Sequence, residues 1–154
     1  GARRVSTLLD TNILTRSAQS GHPQQLPARN AVKQLFDRGE QICIVPQNLY
    51  EFWAVATRSP AENGLGMSMV EAESELARVK EVFTLLGDEE GILQEWERLV
   101  IAHQVRGKTS HDARLVAAMH RHGLTQLPTV NAIHFNRFPG ITVVTPEEVL
   151  QAGS

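Results

Sequence analysis

Val5-Ser6-Thr7-Leu8-Leu9-Asp10-Thr11-Asn12 is an apolar run that ends in a carboxylate, a hydroxyl and a carboxamide. The run reads as a first β-strand over about 5–9, so Asp10 leaves its carboxyl end. In open α/β sheets ligands bind outside the carboxyl ends of the strands, and a carboxylate held there by rigid backbone is placed to hold a hard cation. An Asp between a strand and a helix also serves as an N-cap, and taken alone Asp10 favours that role. The choice between the two rests on what else reaches the same edge.

Outward from this stretch the chain alternates strands and helices. A short helix near Ile13–Ala18 is followed by a polar loop punctuated by Gly21 and Pro23, and a helix over about Ala28–Asp37 is stopped by Gly39. A strand at 41–45 feeds a helix that opens on Pro46 and runs through about Thr57. Beyond the Pro- and Gly-rich loop Arg58–Met67, Ser68 with Glu71 makes a capping box for a helix to about Phe83. Another helix covers about Asp88–His103. Arg106-Gly107-Lys108 breaks it, and a Ser110-capped helix runs through His122 to Gly123. Short strands near 126–130 and 141–145 and a last helical turn at Pro146 complete the pattern. No repeat or linker divides it. The expectation is a single α/β domain over residues 3–152, with a mainly parallel central sheet of four to five strands flanked by helices.

A length of 154 residues suits one such domain with a real core. The lone cysteine, Cys43, excludes an internal disulfide, and its apolar neighbours Ile42, Ile44 and Val45 make it a core residue. No apolar segment approaches the roughly 20 residues that span a bilayer, and no secretory h-region is present, so a cytoplasmic protein with no membrane partner is expected. Net charge is −2, but it is unevenly spread. Glu62 to Glu97 holds ten carboxylates against Arg78 and Lys80, whereas Arg98 to Pro146 holds six Arg or Lys and five His around one acid, Asp112. A lone carboxylate in a cationic setting suits a site that holds both a metal and a polyanion.

Two further acids can be argued to the edge of Asp10. Glu51 lies on the Pro46 helix, where Leu49, Phe52, Trp53 and Ala56 form the apolar stripe and Asn48, three residues away, shares an adjoining face. The helix springs directly from the strand end, so both polar side chains stand within about two turns of the edge. Asp112 lies in the first turn of the Ser110 helix, with Leu115, Val116 and Met119 at i+3, i+4 and i+7. It therefore shares the apolar stripe and points inward, and an inward carboxylate must be paired or hold a metal. Thr129-Val130-Asn131, followed by Ala132-Ile133-His134-Phe135, leaves a later strand at the same edge. His111, His120 and His122 fit no zinc-ligand spacing beyond an incidental pair.

Taken together, strand-Asp10-Thr11-Asn12, the stretch Asn48-Leu49-Tyr50-Glu51-Phe52-Trp53, Asn63-Gly64-Leu65-Gly66, and His111-Asp112-Ala113-Arg114-Leu115-Val116-Ala117-Ala118 resemble a PIN domain. The similarity is greatest to the VapC-like ribonuclease toxins of bacterial toxin–antitoxin pairs, and it covers almost the whole chain. It implies a metal-dependent endoribonuclease in which Asp10, Glu51 and Asp112 gather Mg²⁺ or Mn²⁺ to cut RNA. Thr11, Asn12, Asn48, Thr129 and Asn131 would support them. At His134 the chain departs from the family, which commonly carries Asp there; an imidazole adds no negative charge and favours softer ions than Mg²⁺. Arg106, Lys108, Arg114 and Arg137 are candidates for steering the RNA backbone. A homodimer and an antitoxin protein are the partners implied. Two other readings stay open: a structure-selective DNA nuclease using the same acids, and a degenerate domain that binds RNA or protein without cutting.

Overall fold

A computed structural model describes residues 5–152; residues 3 and 4 of the expected domain lie outside the described residues. Five strands, β1 (Ser6–Leu8), β2 (Gln41–Ile44), β3 (Thr84–Leu85), β4 (Gln126–Pro128) and β5 (Thr142–Val144), form one sheet in the order β3-β2-β1-β4-β5. Every pairing is parallel, with Thr7 opposite Ile42 on one side and Gln126 on the other. Among the described residues the α-helices are α1 (Thr11–Ala18), α2 (Gln25–Asp37), α3 (Pro46–Thr57), α4 (Met69–Val82), α5 (Gly91–Ala102), α6 (Thr109–His122) and α7 (Pro146–Ala152).

Side chains alternate across a strand, and the core divides accordingly. Leu8, Cys43, Val45 and Leu127 join Leu99 of α5 and Leu115, Val116 and Met119 of α6 on one face of the sheet. Leu9, Ile42 and Ile44 join Ile13, Leu35, Phe52, Val79 and Val149 on the other, beneath α1 to α4 and α7. Cys43 is fully buried and unpaired by disulfide, as its apolar neighbours imply. Among the described residues no helix is long and apolar enough to cross a membrane.

The order of the strands positions the site. From β1 the chain moves outward through β2 to β3 and then crosses to β4 on the opposite side of β1. The direction of winding reverses between β1 and β4, and such a switch point opens a crevice at the carboxyl ends of the strands.

Three expectations from the sequence are corrected. The strand β3 falls where no strand was expected. Helix α2 begins at Gln25 because Pro27 falls in its first turn, where its missing N–H has no helical partner to lose. Ser110 does not cap α6: Gly107, with φ of 60°, turns the chain so that Lys108 takes the cap position. The Ser110 carbonyl instead accepts the Trp96 indole N–H at 2.8 Å.

Candidate active site

Asp10 occupies the N-cap position of α1, yet its side chain makes no capping hydrogen bond. Its backbone N–H is tied to the Pro128 carbonyl of β4 at 3.0 Å, and the Thr129 hydroxyl donates to Asp10 Oδ2 at 2.7 Å. The carboxylate thus spans the β1/β4 switch point. Thr129 Oγ1 in turn accepts from Asn12 Nδ2 at 3.2 Å and from the Asn131 backbone N–H at 3.0 Å, while Asn12 Oδ1 accepts the Val130 N–H. Both the hydroxyl rotor and the carboxamide flip are fixed by these partners.

A second set of hydrogen bonds joins α3 to the end of β1. Asn48 is fully buried; its Oδ1 accepts the Val45 N–H at 2.8 Å, and its Nδ2 donates to the Leu9 carbonyl and to Thr11 Oγ1, each at 3.0 Å. The Thr11 hydroxyl then donates to Glu51 Oε1 at 2.7 Å, and Gln47 Nε2 donates to Glu51 Oε2 at 3.1 Å. Both carboxylate oxygens of Glu51 are therefore held. Gln47 was not singled out in the sequence, although its i, i+4 spacing to Glu51 was the available signal. Arg58 was also passed over, and it lines a shallow cleft together with Thr11, Asn12, Thr15 and Glu51.

Asp112 stands at the rim of the crevice with 26% of its side chain exposed, so it does not point into the core as its helical spacing implies. His134 Nδ1 lies 3.9 Å from Asp112 Oδ2. Burial raises the Asp112 carboxyl, opposed by the His134 charge and reinforced by Glu51. Asp10 is only 7% exposed, and burial pushes its carboxyl up to about 7 against the hydrogen bond from Thr129. The charges of Asp112 and Glu51 add to that rise. The three acids arrive on three separate elements and share one electrostatic neighbourhood.

Of the basic candidates, Arg106 and Lys108 are exposed in the loop before α6. Arg114 is engaged inside the protein, by Gln47 Oε1 and by Asp88 Oδ1, each at 3.1 Å. Arg137 donates to the His103 carbonyl at 3.3 Å and lies 5.8 Å from the centre of the Phe138 ring, with its charge lowering the Asp112 carboxyl.

Among the described residues no three His, Cys, Asp or Glu side chains are drawn closely enough to enclose an ion as they stand. The donor set nevertheless fits a hard divalent cation. Its acids offer only oxygen, Asp10 has no cationic side chain within salt-bridge distance among the described residues, and mutual repulsion is what a cation would relieve.

A family model of the PIN domain matches residues 7–141. The chain belongs to the PIN-domain family. Solved structures similar to this PIN domain include VapBC2 from Rickettsia felis bound to a promoter DNA fragment, at 17% identity and a TM-score of 0.70 over 92% of this chain and 98% of that one. A toxin–antitoxin complex from Klebsiella pneumoniae matches at 23% identity and 0.62, covering 91% and 97% of the two chains. VapC20 from Mycobacterium tuberculosis, described as a Sarcin-Ricin loop cleaving toxin, matches at 15% and 0.61, covering 79% and 86%. At these identities the likeness is one of fold. Among proteins of curated function no relative matched.

Proposed function

We propose that this PIN domain is a metal-dependent endoribonuclease, the toxin of a toxin–antitoxin pair. What supports the reading is the electrostatic coupling of Asp10, Glu51 and Asp112 beside the β1/β4 switch point, with Asp10 buried and no cationic side chain within salt-bridge distance of it among the described residues. The description of one structural relative as a Sarcin-Ricin loop cleaving toxin, and of another as a toxin–antitoxin complex, supports the same assignment.

Asp10 and Asp112 would be the principal residues holding the metal, with Glu51 beside them. Mg²⁺ or Mn²⁺ held there would supply an activated water and positive charge for the phosphate oxygens. The protein supplies orientation. Thr129, itself fixed by Asn12 and Asn131, aims the Asp10 carboxylate; Asn48 and Thr11 carry the placement of β1 into Glu51. His134 flanks Asp112 with an imidazole nitrogen in place of a fourth acid. An antitoxin and a second copy of the chain are the partners proposed.

Cleavage of single-stranded RNA with Mn²⁺, assayed for Asp10→Asn, Glu51→Gln and Asp112→Asn, tests the reading. Each variant should lose more than roughly 100-fold in rate, beyond the 10–100-fold that loss of an outer-shell partner costs. Asp10→Asn and Asp112→Asn should not melt below the wild type without metal, because each removes a charge that the folded site disfavours, whereas Glu51→Gln also sets an amide N–H against a donor and can lose a hydrogen bond. Wild-type activity in Asp112→Asn would overturn the assignment.

A further inference from the structure

Gln47 is the second residue of α3 and only 6% exposed. Its amide has three protein partners. Nε2 donates to Glu51 Oε2 at 3.1 Å and to the His111 carbonyl at 2.8 Å, and Oε1 accepts from Arg114 Nη1 at 3.1 Å. The chemistry of the partners fixes the amide's orientation. A guanidinium only donates, whereas a carboxylate and a carbonyl only accept, so the flipped amide would face donor to donor and acceptor to acceptor. Arg114 is held from its far side by Asp88 Oδ1 at 3.1 Å.

The location of this amide gives it a consequence. His111 immediately precedes Asp112, so one buried carboxamide ties the acid of α3 to the turn of α6 that carries the other acid. The two helices bury their apolar faces in different clusters, Phe52 and Ala56 on one side of the sheet and Leu115, Val116 and Met119 on the other. Val45, at the foot of α3, joins the α6 cluster, but among the described residues no apolar side chain of α3 itself packs there.

We propose that Gln47 is a positioning residue that fixes the spacing of Glu51 and Asp112, with Arg114 locking its amide and not contacting RNA. The role in metal binding rests on the nuclease reading; the clamp itself rests on the hydrogen bonds. Outer partners of metal ligands typically govern affinity by 10–100-fold. Gln47→Ala should therefore weaken Mn²⁺ binding, measured by electron paramagnetic resonance without RNA, by about tenfold. It should lower kcat while leaving the KM for RNA in place. Arg114→Met should shift both readouts in the same direction by a smaller factor, and the double variant should be no worse than Gln47→Ala, because residues acting through one another are not additive. Should Gln47→Ala fail to fold, Arg114→Met decides alone: a raised KM with Mn²⁺ affinity unchanged makes Arg114 an RNA contact and overturns the proposal. The clamp has a readout of its own. In the metal-free wild type the Gln47 side-chain amide protons should exchange slowly in nuclear magnetic resonance spectra, with resonances displaced by both Glu51→Gln and Arg114→Met. An unprotected amide beside normal Mn²⁺ binding overturns the positioning role alone. A protected amide in a wild type that binds no Mn²⁺ overturns the nuclease reading and the positioning role together.

Discussion

Asp10 has an ordinary pKa of 3.8 in the unfolded chain and about 7 in the folded domain, because burial disfavours its charge. Between those values the folded state holds a proton that the unfolded state has lost, so stability falls as pH rises from about 4 to about 7 and stays low above it. The full effect is on the order of 4 kcal/mol. Glu95, held down to about 2 by Arg98 and His120, works the other way, but its contribution is complete above 4.5 and lost only in more acidic solution. Between pH 5 and 8 the Asp10 effect should therefore dominate the comparison with Asp10→Asn, which keeps an acceptor for Thr129. The variant should melt modestly above the wild type at pH 5 and by a clearly larger margin at pH 8, and saturating Mn²⁺ should narrow the pH 8 gap by stabilising the wild type. Thermal melts at the two pH values check this; an equal gap at both would refute the burial argument. Asp10 was recognisable in the sequence because an apolar strand stops at it. Gln47 was not, since an amide on an amphipathic helix looks like any solvated residue until its three partners are seen.

The stretch Asn63-Gly64-Leu65-Gly66, part of what resembles the family in the sequence, closes a turn. The Gly64 N–H donates to Ser59, Leu65 to Val55, Gly66 to Arg58 and Met67 to Ala56, so the chain folds back along the end of α3. A Cβ on Gly64 would strike the Arg58 backbone, which cannot swing aside as a side chain tip does. Gly64→Ala should cost about 2–3 kcal/mol as an overpacking change, or roughly 5–10 °C in Tm for a domain of this size. Gly87→Ala is the matched control, since its Cβ would meet nothing within 4 Å. Equal melting temperatures for the two variants would show that the turn yields. Elements with a chemical punctuation mark were legible: the Ser68 and Glu71 capping box opens α4 as expected, with Glu71 N–H to Ser68 Oγ at 3.1 Å. The strand β3 had no such mark. Two residues cannot display alternation, and Thr84-Leu85 is a strand only because β2 offers it an edge.

Across the whole molecule the sequence divides charge into an acidic and a basic half, and folding brings the two together. Arg98 pairs with Glu95, Arg114 with Asp88 and Arg121 with Glu89, so three of the six basic residues between Arg98 and Pro146 are matched to acids of the other half. The cationic surface that a linear reading assigns to RNA is correspondingly smaller. Arg106 and Lys108 remain exposed and form no ion pair among the described residues, and Arg137 acts on Asp112. A basic group already matched by a carboxylate releases little counterion when a phosphate arrives, whereas an unmatched one contributes a slope of about 0.7 in log K against log salt for a single strand. Binding of single-stranded RNA to the Asp10→Asn protein, followed across a salt series, separates the two kinds. Arg106→Ala and Lys108→Ala should each lower the slope by about 0.7. Arg98→Ala and Arg121→Ala should leave it in place, because each removes a charge whose partner is a glutamate and not a phosphate. A slope that falls equally for all four would mean that the ion pairs open when RNA binds, and that the basic half acts as the undivided surface its sequence suggests.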